Sequence, residues 1–273
     1  MDKWNLDYEQ PIEIAPGIYW VGFWDRDAGL HCNPYLIVDG DEAVLIDSGS
    51  RDDFSTVMLK VLRTGTSPRK IKRLIYQHYD PDLCGNIPHV EALVGGRELE
   101  ILSHRENNPF ISYYSSQSPL RCVEEMGFVY SFSSGRQLRF VRTPHAHAPG
   151  SFMTYDTQSK VLFSSDLFGS YDCNWSLYTR IGHPCGHCAP EAVCPDTGAP
   201  CQLKGMLEFH QRVMPSRKAL RYAMDRVEEL DVSLIAPQHG GLLDTREARD
   251  ICIRHLRQLE PVGIDYVLSE EAR

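Results

Sequence analysis

Short apolar runs separated by turn residues dominate the first half of the chain. Residues 18–23, 34–38 and 42–46 are β-branched or aromatic stretches, the last two divided by Asp39-Gly40-Asp41, and they read as strands. Val44-Leu45-Ile46 ends at Asp47-Ser48-Gly49-Ser50, a strand entering a loop. The period then changes: Phe54, Val57, Met58 and Val61 fall near helical spacing, so 52–62 reads as a helix. Strands return at 71–76 and 138–141, and 151–155 with 160–163 form a hairpin around Asp156-Thr157-Gln158-Ser159. Residues 171–205 carry Cys, Pro and Gly with little periodicity. Beyond them, 216–230 is an amphipathic helix with Leu220, Ala223, Met224, Val227 and Leu230 on one face. A strand at 232–236 and a helix at 245–259 follow. No repeat or linker-like boundary divides the pattern. It reads as one α+β domain over 1–273, with a Cys-rich insertion at 171–205 and a C-terminal helix and tail over 245–273.

The polar positions are ordered as well. His78, Asp80 and Asp82 follow one expected strand, His147 a second, Asp166 a third and His239 a fourth. Strand ends of this kind can converge on one edge of a sheet sandwich, where loops carry chemistry on a rigid scaffold. Three imidazoles and three carboxylates suit two adjacent cations, one carboxylate bridging both. The spacing His78-x-Asp80-x-Asp82 places three ligands on one side of an extended segment, or divides them between two ions if the loop is tight. A nitrogen and oxygen set without thiolate suits iron, manganese or zinc.

Composition narrows the setting. With 28 basic and 37 acidic side chains the net charge is −9, which argues against a broad nucleic-acid or anionic-membrane surface. The N-terminus lacks a basic and apolar leader pattern, and the apolar runs fall far short of the ~20 residues of a membrane helix. The expectation is a soluble cytoplasmic protein. In that reducing compartment nine cysteines would bind metals or stay as thiols, and five of them (Cys173, Cys185, Cys188, Cys194 and Cys201) lie in the insertion.

The segment Gln77-His78-Tyr79-Asp80-Pro81-Asp82-Leu83-Cys84-Gly85-Asn86-Ile87-Pro88 resembles the first metal motif of the metallo-β-lactamase fold superfamily, in the form used by its flavodiiron branch. His147-Ala148-Pro149-Gly150-Ser151-Phe152, Leu162-Phe163-Ser164-Ser165-Asp166-Leu167-Phe168-Gly169 and Ile235-Ala236-Pro237-Gln238-His239-Gly240 are similar to later motifs of that branch. Asp47 matches the superfamily's structural Asp. The matches run from about residue 15 to residue 245. The resemblance implies an αββα sandwich in which His78, Asp80 and His147 hold one metal, Asp82 and His239 the other, and Asp166 lies between them.

Four departures shape what the resemblance implies. Asp80 stands where the flavodiiron branch has Glu and the hydrolases usually have His, one methylene shorter but still a carboxylate. Leu83 replaces a His that is a second-metal ligand in binuclear hydrolases. That leaves an under-coordinated second metal beside an apolar wall, with an open position suited to O2 or another small diatomic ligand. Cys84 replaces a Ser. No flavodoxin-like segment is found within the 273 residues, so turnover on O2, NO or peroxide would draw on an external electron donor. The closest family match is therefore the flavin-free oxygen-binding di-iron proteins implicated in O2 sensing.

The function expected is a non-haem di-iron protein that binds or reduces O2, as a sensor or an oxidoreductase. A redox or signalling protein would be its partner, and a homo-oligomer is compatible with it. The alternative is a zinc- or manganese-dependent hydrolase of phosphodiesterase or thioesterase type, using a metal-bridging hydroxide. Cys185-x-x-Cys188 with Cys173, Cys194 and Cys201 offers a second metal site, with structural zinc, regulatory thiols and an iron–sulfur cluster as competing readings. His145, which flanks His147, is a candidate to line the main site, and Tyr79 and Tyr155 are phenols near the expected ligands.

Overall fold

A computed structural model describes residues 3–23, 31–95, 98–115, 117–171, 175–186, 189–190, 193–194 and 198–271. In the first sheet β1 (Ile12–Ala15), β2 (Ile18–Trp20), β3 (Tyr35–Asp39) and β4 (Glu42–Ile46) run antiparallel. β5 (Ile71–Ile75), β6 (Glu100–Ser103) and β7 (Leu120–Cys122) extend it in parallel. The second sheet, in the order β12-β11-β10-β9-β8, contains β8 (Val129–Ser131), β9 (Gln137–Arg142), β10 (Phe152–Asp156), β11 (Val161–Phe163) and β12 (Leu234–Ala236). Its β11 and β12 are parallel and its other pairs antiparallel.

Period-2 alternation in strands buried on both faces decides the layers. Ile37, Val44 and Ile46 meet Phe140, Phe152 and Phe163 of the facing sheet in a central core. Leu36, Leu45 and Leu74 point the other way. They pack on Val57 and Val61 of α1 (Phe54–Arg63), Leu83 of α2 (Pro81–Cys84) and Ile87 and Val90 of α3 (Ile87–Val94). A short α4 (Asn108–Ile111) joins β6 to β7. On the outer face of the second sheet, Met153, Leu162 and Ile235 pack on α5 (Gln202–Val213), α6 (Arg217–Glu228) and α7 (Arg246–Gln258) through Met206, Leu220, Met224, Ile251 and Leu256. A final α8 (Ile264–Glu271) follows. Each of these apolar side chains contributes about 1.5–3 kcal/mol by leaving water. Together they make the αββα sandwich.

Most expected elements form within a few residues of the positions read from the pattern, and the hairpin at 151–163 pairs Thr154 with Phe163. Three differ. The strand expected over 18–23 stops at Trp20, since β2 has only β1 and a short stretch of β3 to pair with. β6, β7, β8, α3 and α4 fill residues 87–131, where the sequence pattern assigned no element. α5 starts at Gln202, inside the end of the insertion read as irregular, with Leu203, Met206, Phe209 and His210 on its buried face. Among the described residues no helix is long and apolar enough to cross a membrane.

One edge of the sandwich collects the strand ends. β4 and β5 are parallel, so Asp47 and Gln77-His78 leave on the same side. β11 and β12 are parallel too, and deliver Ser165-Asp166 and Gln238-His239 together. β3 runs antiparallel to β4, Tyr35 opposite Ile46, so the start of β3 lies at the edge where β4 ends. Hydrogen bonds stitch the two sheets there. Gln77 Nε2 donates to the Phe163 carbonyl at 2.7 Å, Asn33 Nδ2 to the Pro237 and Gly240 carbonyls at 3.1 and 2.9 Å, and Tyr35 Oη to the Pro237 carbonyl at 2.8 Å.

Candidate metal centre

His78, His147 and Asp166 present donor atoms that all lie within 4.8 Å of one another, and so do Cys32, Asp82 and His239. Donors sharing one ion at normal bond lengths stand about 3.5 Å apart in a tetrahedral shell. The individual distances match this. His147 Nε2 is 3.0 Å from Asp166 Oδ2 and 3.2 Å from Asp80 Oδ2, and His78 Nε2 is 3.6 Å from Asp166 Oδ1 and 3.7 Å from Asp80 Oδ2. On the other side His239 Nε2 is 3.3 Å from Asp82 Oδ2 and 3.7 Å from Asp166 Oδ1. Asp166 therefore faces both groupings, with Oδ1 between His78 and His239. The loop is tight: Asp80 is extended before the turn of α2, and Asp82 sits inside that turn. The turn divides His78 and Asp80 from Asp82, one of the two outcomes open at the sequence level.

Backbone and hydroxyl partners set the imidazole tautomers. His239 Nδ1 donates to the His31 carbonyl at 2.6 Å, leaving the Nε2 lone pair aimed at Asp82 and Asp166. His78 Nδ1 is 2.9 Å from Ser165 Oγ, and with Nδ1–H as donor its Nε2 lone pair also faces the centre. His210 Nε2 accepts from the Phe168 amide at 3.0 Å while its Nδ1 donates to the Met206 carbonyl at 2.7 Å. This pins the turn that carries Asp166 to α5. Burial pushes His210 down to about 4, so it stays neutral in that role.

The electrostatics test whether cations fit. Burial alone would depress His147, yet the Asp166 and Asp80 carboxylates beside it raise it to about 10. His78 and His239 are likewise raised by carboxylates against the pull of burial, Asp166 acting on both. Burial raises Asp80 and Asp166, but the facing histidines outweigh it and hold both carboxyls well below the usual range. Burial takes Asp47 up to about 8, against the pull of His78. Two buried atoms, His78 Nε2 and Asp166 Oδ1, have no hydrogen-bond partner. A buried acceptor left unpaired costs about 1–3 kcal/mol and calls for an ion or water. A cation between these donors satisfies both atoms, and the mixed imidazole and carboxylate set is chemically suited to iron, manganese or zinc.

All six strand-end residues named from the sequence thus meet at one place. Cys32 was missed. It is 6% exposed, and its Sγ lies 3.8 Å from Asp82 Oδ2. The signal was faint, since Cys32 precedes a strand whereas the other candidates follow strand ends. Leu83 is fully buried among Val57, Ile87 and Val90, turned into the helix-facing core. Cys84 turns into the same cluster, its Sγ 3.9 Å from the His78 carbonyl, and burial pushes its thiol well up, so it is a packed thiol. His145 is exposed and lines a surface cleft with Pro144, Pro215 and Tyr222, away from the ligands. Tyr155 donates to the Asp231 carbonyl at 2.8 Å, and Tyr79 stacks on Phe110 with centroids 4.3 Å apart. Of the insertion's cysteines, Cys173 and Cys188 lie outside the described residues. Cys185 and Cys201 pack beside the α5–α7 core, and Cys194 donates its amide to the Ala199 carbonyl at 2.8 Å.

The family model described as ODP family beta lactamase matches residues 30–240. The chain belongs to that family. The ODP-family chain is 28% identical over 237 residues to a putative diflavin flavoprotein A 2 of Synechocystis, a match covering 81% of this chain and 36% of the relative. It thus spans about a third of the length of that curated relative. A structure described as the peroxy di-iron species of the chemotaxis sensor ODP superposes with TM-score 0.69 at 24% identity, covering 93% of this chain and 94% of that one. The flavodiiron protein from Giardia intestinalis gives TM-score 0.72 at 20% identity, covering 93% and 60%. At these identities the superpositions establish the fold. Nothing in the comparisons favours the hydrolase alternative.

Proposed function

We propose that this chain holds a non-haem di-iron centre that binds or reduces dioxygen. The observation that carries the reading is the pair of converging donor sets that share Asp166, whose Oδ1 and the neighbouring His78 Nε2 are buried without partners. His78, Asp80, His147 and Asp166 would hold one iron, and Asp166, Asp82 and His239 the other. Iron at these positions would supply electrons and an open coordination position for dioxygen. Ser165 and the His31 carbonyl hold the His78 and His239 rings in register. Membership of the ODP family and the likeness to a protein described as a di-iron chemotaxis sensor support this reading over a hydrolase. They also support a small diatomic ligand and a redox or signalling protein as partners. We place the protein in the cytoplasm, a reducing compartment in which its nine cysteines would bind metals or stay as thiols. For the Cys-rich insertion the reading is a structural zinc.

Anaerobic purification, with iron, zinc and manganese counted per chain and visible spectra recorded before and after admission of air, tests these assignments together. About two irons per chain and a new absorption band on oxygenation are expected. Zinc or manganese at the centre with no spectral response to air would overturn the di-iron reading. Zinc beyond the pair of irons would report the insertion.

A further inference from the structure

We infer that Cys32 is a thiolate ligand of the second metal, taking the coordination place that Leu83 leaves empty. The inference rests on the two-metal reading above. The position after Asp82 holds a side chain that cannot coordinate, and Leu83 is turned away into the helix-facing core. From the opposite side, the segment entering β3 brings Cys32 Sγ to 3.8 Å from Asp82 Oδ2 and into a common triplet with His239. The backbone shows that this approach is built in. The His31 carbonyl, one residue before Cys32, accepts from His239 Nδ1 at 2.6 Å, so one short segment orients the imidazole and supplies the sulfur. On the following residue, Asn33 Nδ2 donates to the Pro237 and Gly240 carbonyls on either side of His239. Cys32 and His239 are thus tied to each other through three consecutive residues.

Charge favours the same assignment. Asp80, Asp82 and Asp166 bring three negative charges to a site in which Asp166, His78 and His239 are buried and the Asp80 and Asp82 carboxyls are half-buried. A Cys32 thiolate makes four, which two divalent cations neutralise, whereas a neutral thiol leaves net positive charge partly removed from water, an unfavourable arrangement. On metal uptake the S–H bond breaks, the sulfur lone pair enters the metal's shell and the proton leaves to solvent. The consequence is asymmetry: a nitrogen and oxygen site at His78, Asp80 and His147, and a softer site with sulfur at Asp82 and His239, which disfavours manganese there.

The test is anaerobic titration of the full metal-free chain with cobalt(II) in a Cys185→Ser/Cys194→Ser background, where the insertion has lost two of its sulfurs, with and without Cys32→Ser. Without Cys32→Ser, filling the centre with two cobalts should produce a near-ultraviolet sulfur-to-cobalt charge-transfer band. Adding Cys32→Ser should keep the visible ligand-field absorption of both cobalts, remove the intensity that Cys32 contributes to that band and bind the weaker cobalt at least about tenfold less tightly. Two cobalts with a band unaffected by Cys32→Ser in that background would overturn the assignment and leave the two-metal centre standing. Uptake of one cobalt or none at the centre would remove both. If Cys32→Ser does not fold, wild-type protein treated with methyl methanethiosulfonate and mapped by peptide mass decides. Cys32 should be modified when metal-free and protected by cobalt, and equal modification in both states overturns the inference.

Discussion

A single hydroxyl governs how His78 meets the centre. Ser165 Oγ sits 2.9 Å from His78 Nδ1 and Ser165 immediately precedes Asp166, so one loop positions that carboxylate and the neighbouring imidazole. Ser165→Ala should leave the fold intact and lower metal affinity about 10–100-fold, read by competition with a chelator, because ring orientation then has to be fixed at the moment of binding. Unchanged affinity would show that packing alone holds the ring. At this scale the sequence was informative wherever a ligand follows a strand. Cys32 escaped because nothing local distinguishes a ligating thiol before β3 from an ordinary buried one. His145 misled for the converse reason: two residues from His147 in sequence, it faces out of the sandwich.

At the scale of elements, the hairpin that carries Asp166 is locked by a buried ion pair. Arg136 Nε and Nη2 donate to Asp156 Oδ1 and Oδ2 at 3.1 and 2.6 Å, and the same carboxylate accepts from the Gln158 and Ser159 amides in the turn. Burial raises Asp156, but the Arg136 hydrogen bonds outweigh it and the carboxyl is depressed. A depressed acid contributes stability that is present above its unfolded value, about 3.9, and is lost as pH falls through the folded value. Arg136→Ala strands a buried carboxylate and should cost about 3–5 kcal/mol in urea unfolding at neutral pH. The Arg136→Ala/Asp156→Ala double variant should lose less of its remaining stability in acid than the wild type does. A loss under about 1 kcal/mol for the single variant would mean the turn amides suffice. α5 shows a limit of pattern reading. Its buried positions have helical spacing, but they follow directly on a Cys-, Pro- and Gly-rich stretch that hides the start. That helix supplies His210, which anchors the loop after Asp166.

For the whole molecule, metal uptake, protonation and folding are one linked equilibrium. His78, His147 and His239 are raised in the metal-free protein, His147 to about 10. A raised base contributes stability that is full below its unfolded value, about 6.5, and is lost as pH rises through the folded value. The metal-free protein should therefore lose stability between neutral pH and pH 10. A ligating imidazole must be neutral, so loading the centre at pH 7 should release about two protons or more. Calorimetry in buffers of differing ionisation enthalpy measures this directly, and a heat independent of buffer would show that the histidines were already neutral.

The sequence by itself determined the alternation that buries both faces of β3, β4, β10, β11 and β12, and hence the four layers. It also marked six candidate ligands, because strands of this length must end at a sheet edge and their polar successors have no core to enter. The tertiary structure alone decided which ends share an edge. Strand direction is a property of pairing and leaves no trace in local spacing. The antiparallel return of β3 against β4 brought Cys32 to Asp82 and His239, and the tight turn of α2 parted Asp82 from Asp80. Donor convergence within a few ångströms depends on contacts more than 150 residues apart in the chain, such as Cys32 and His239, and only the packed sheets bring these together.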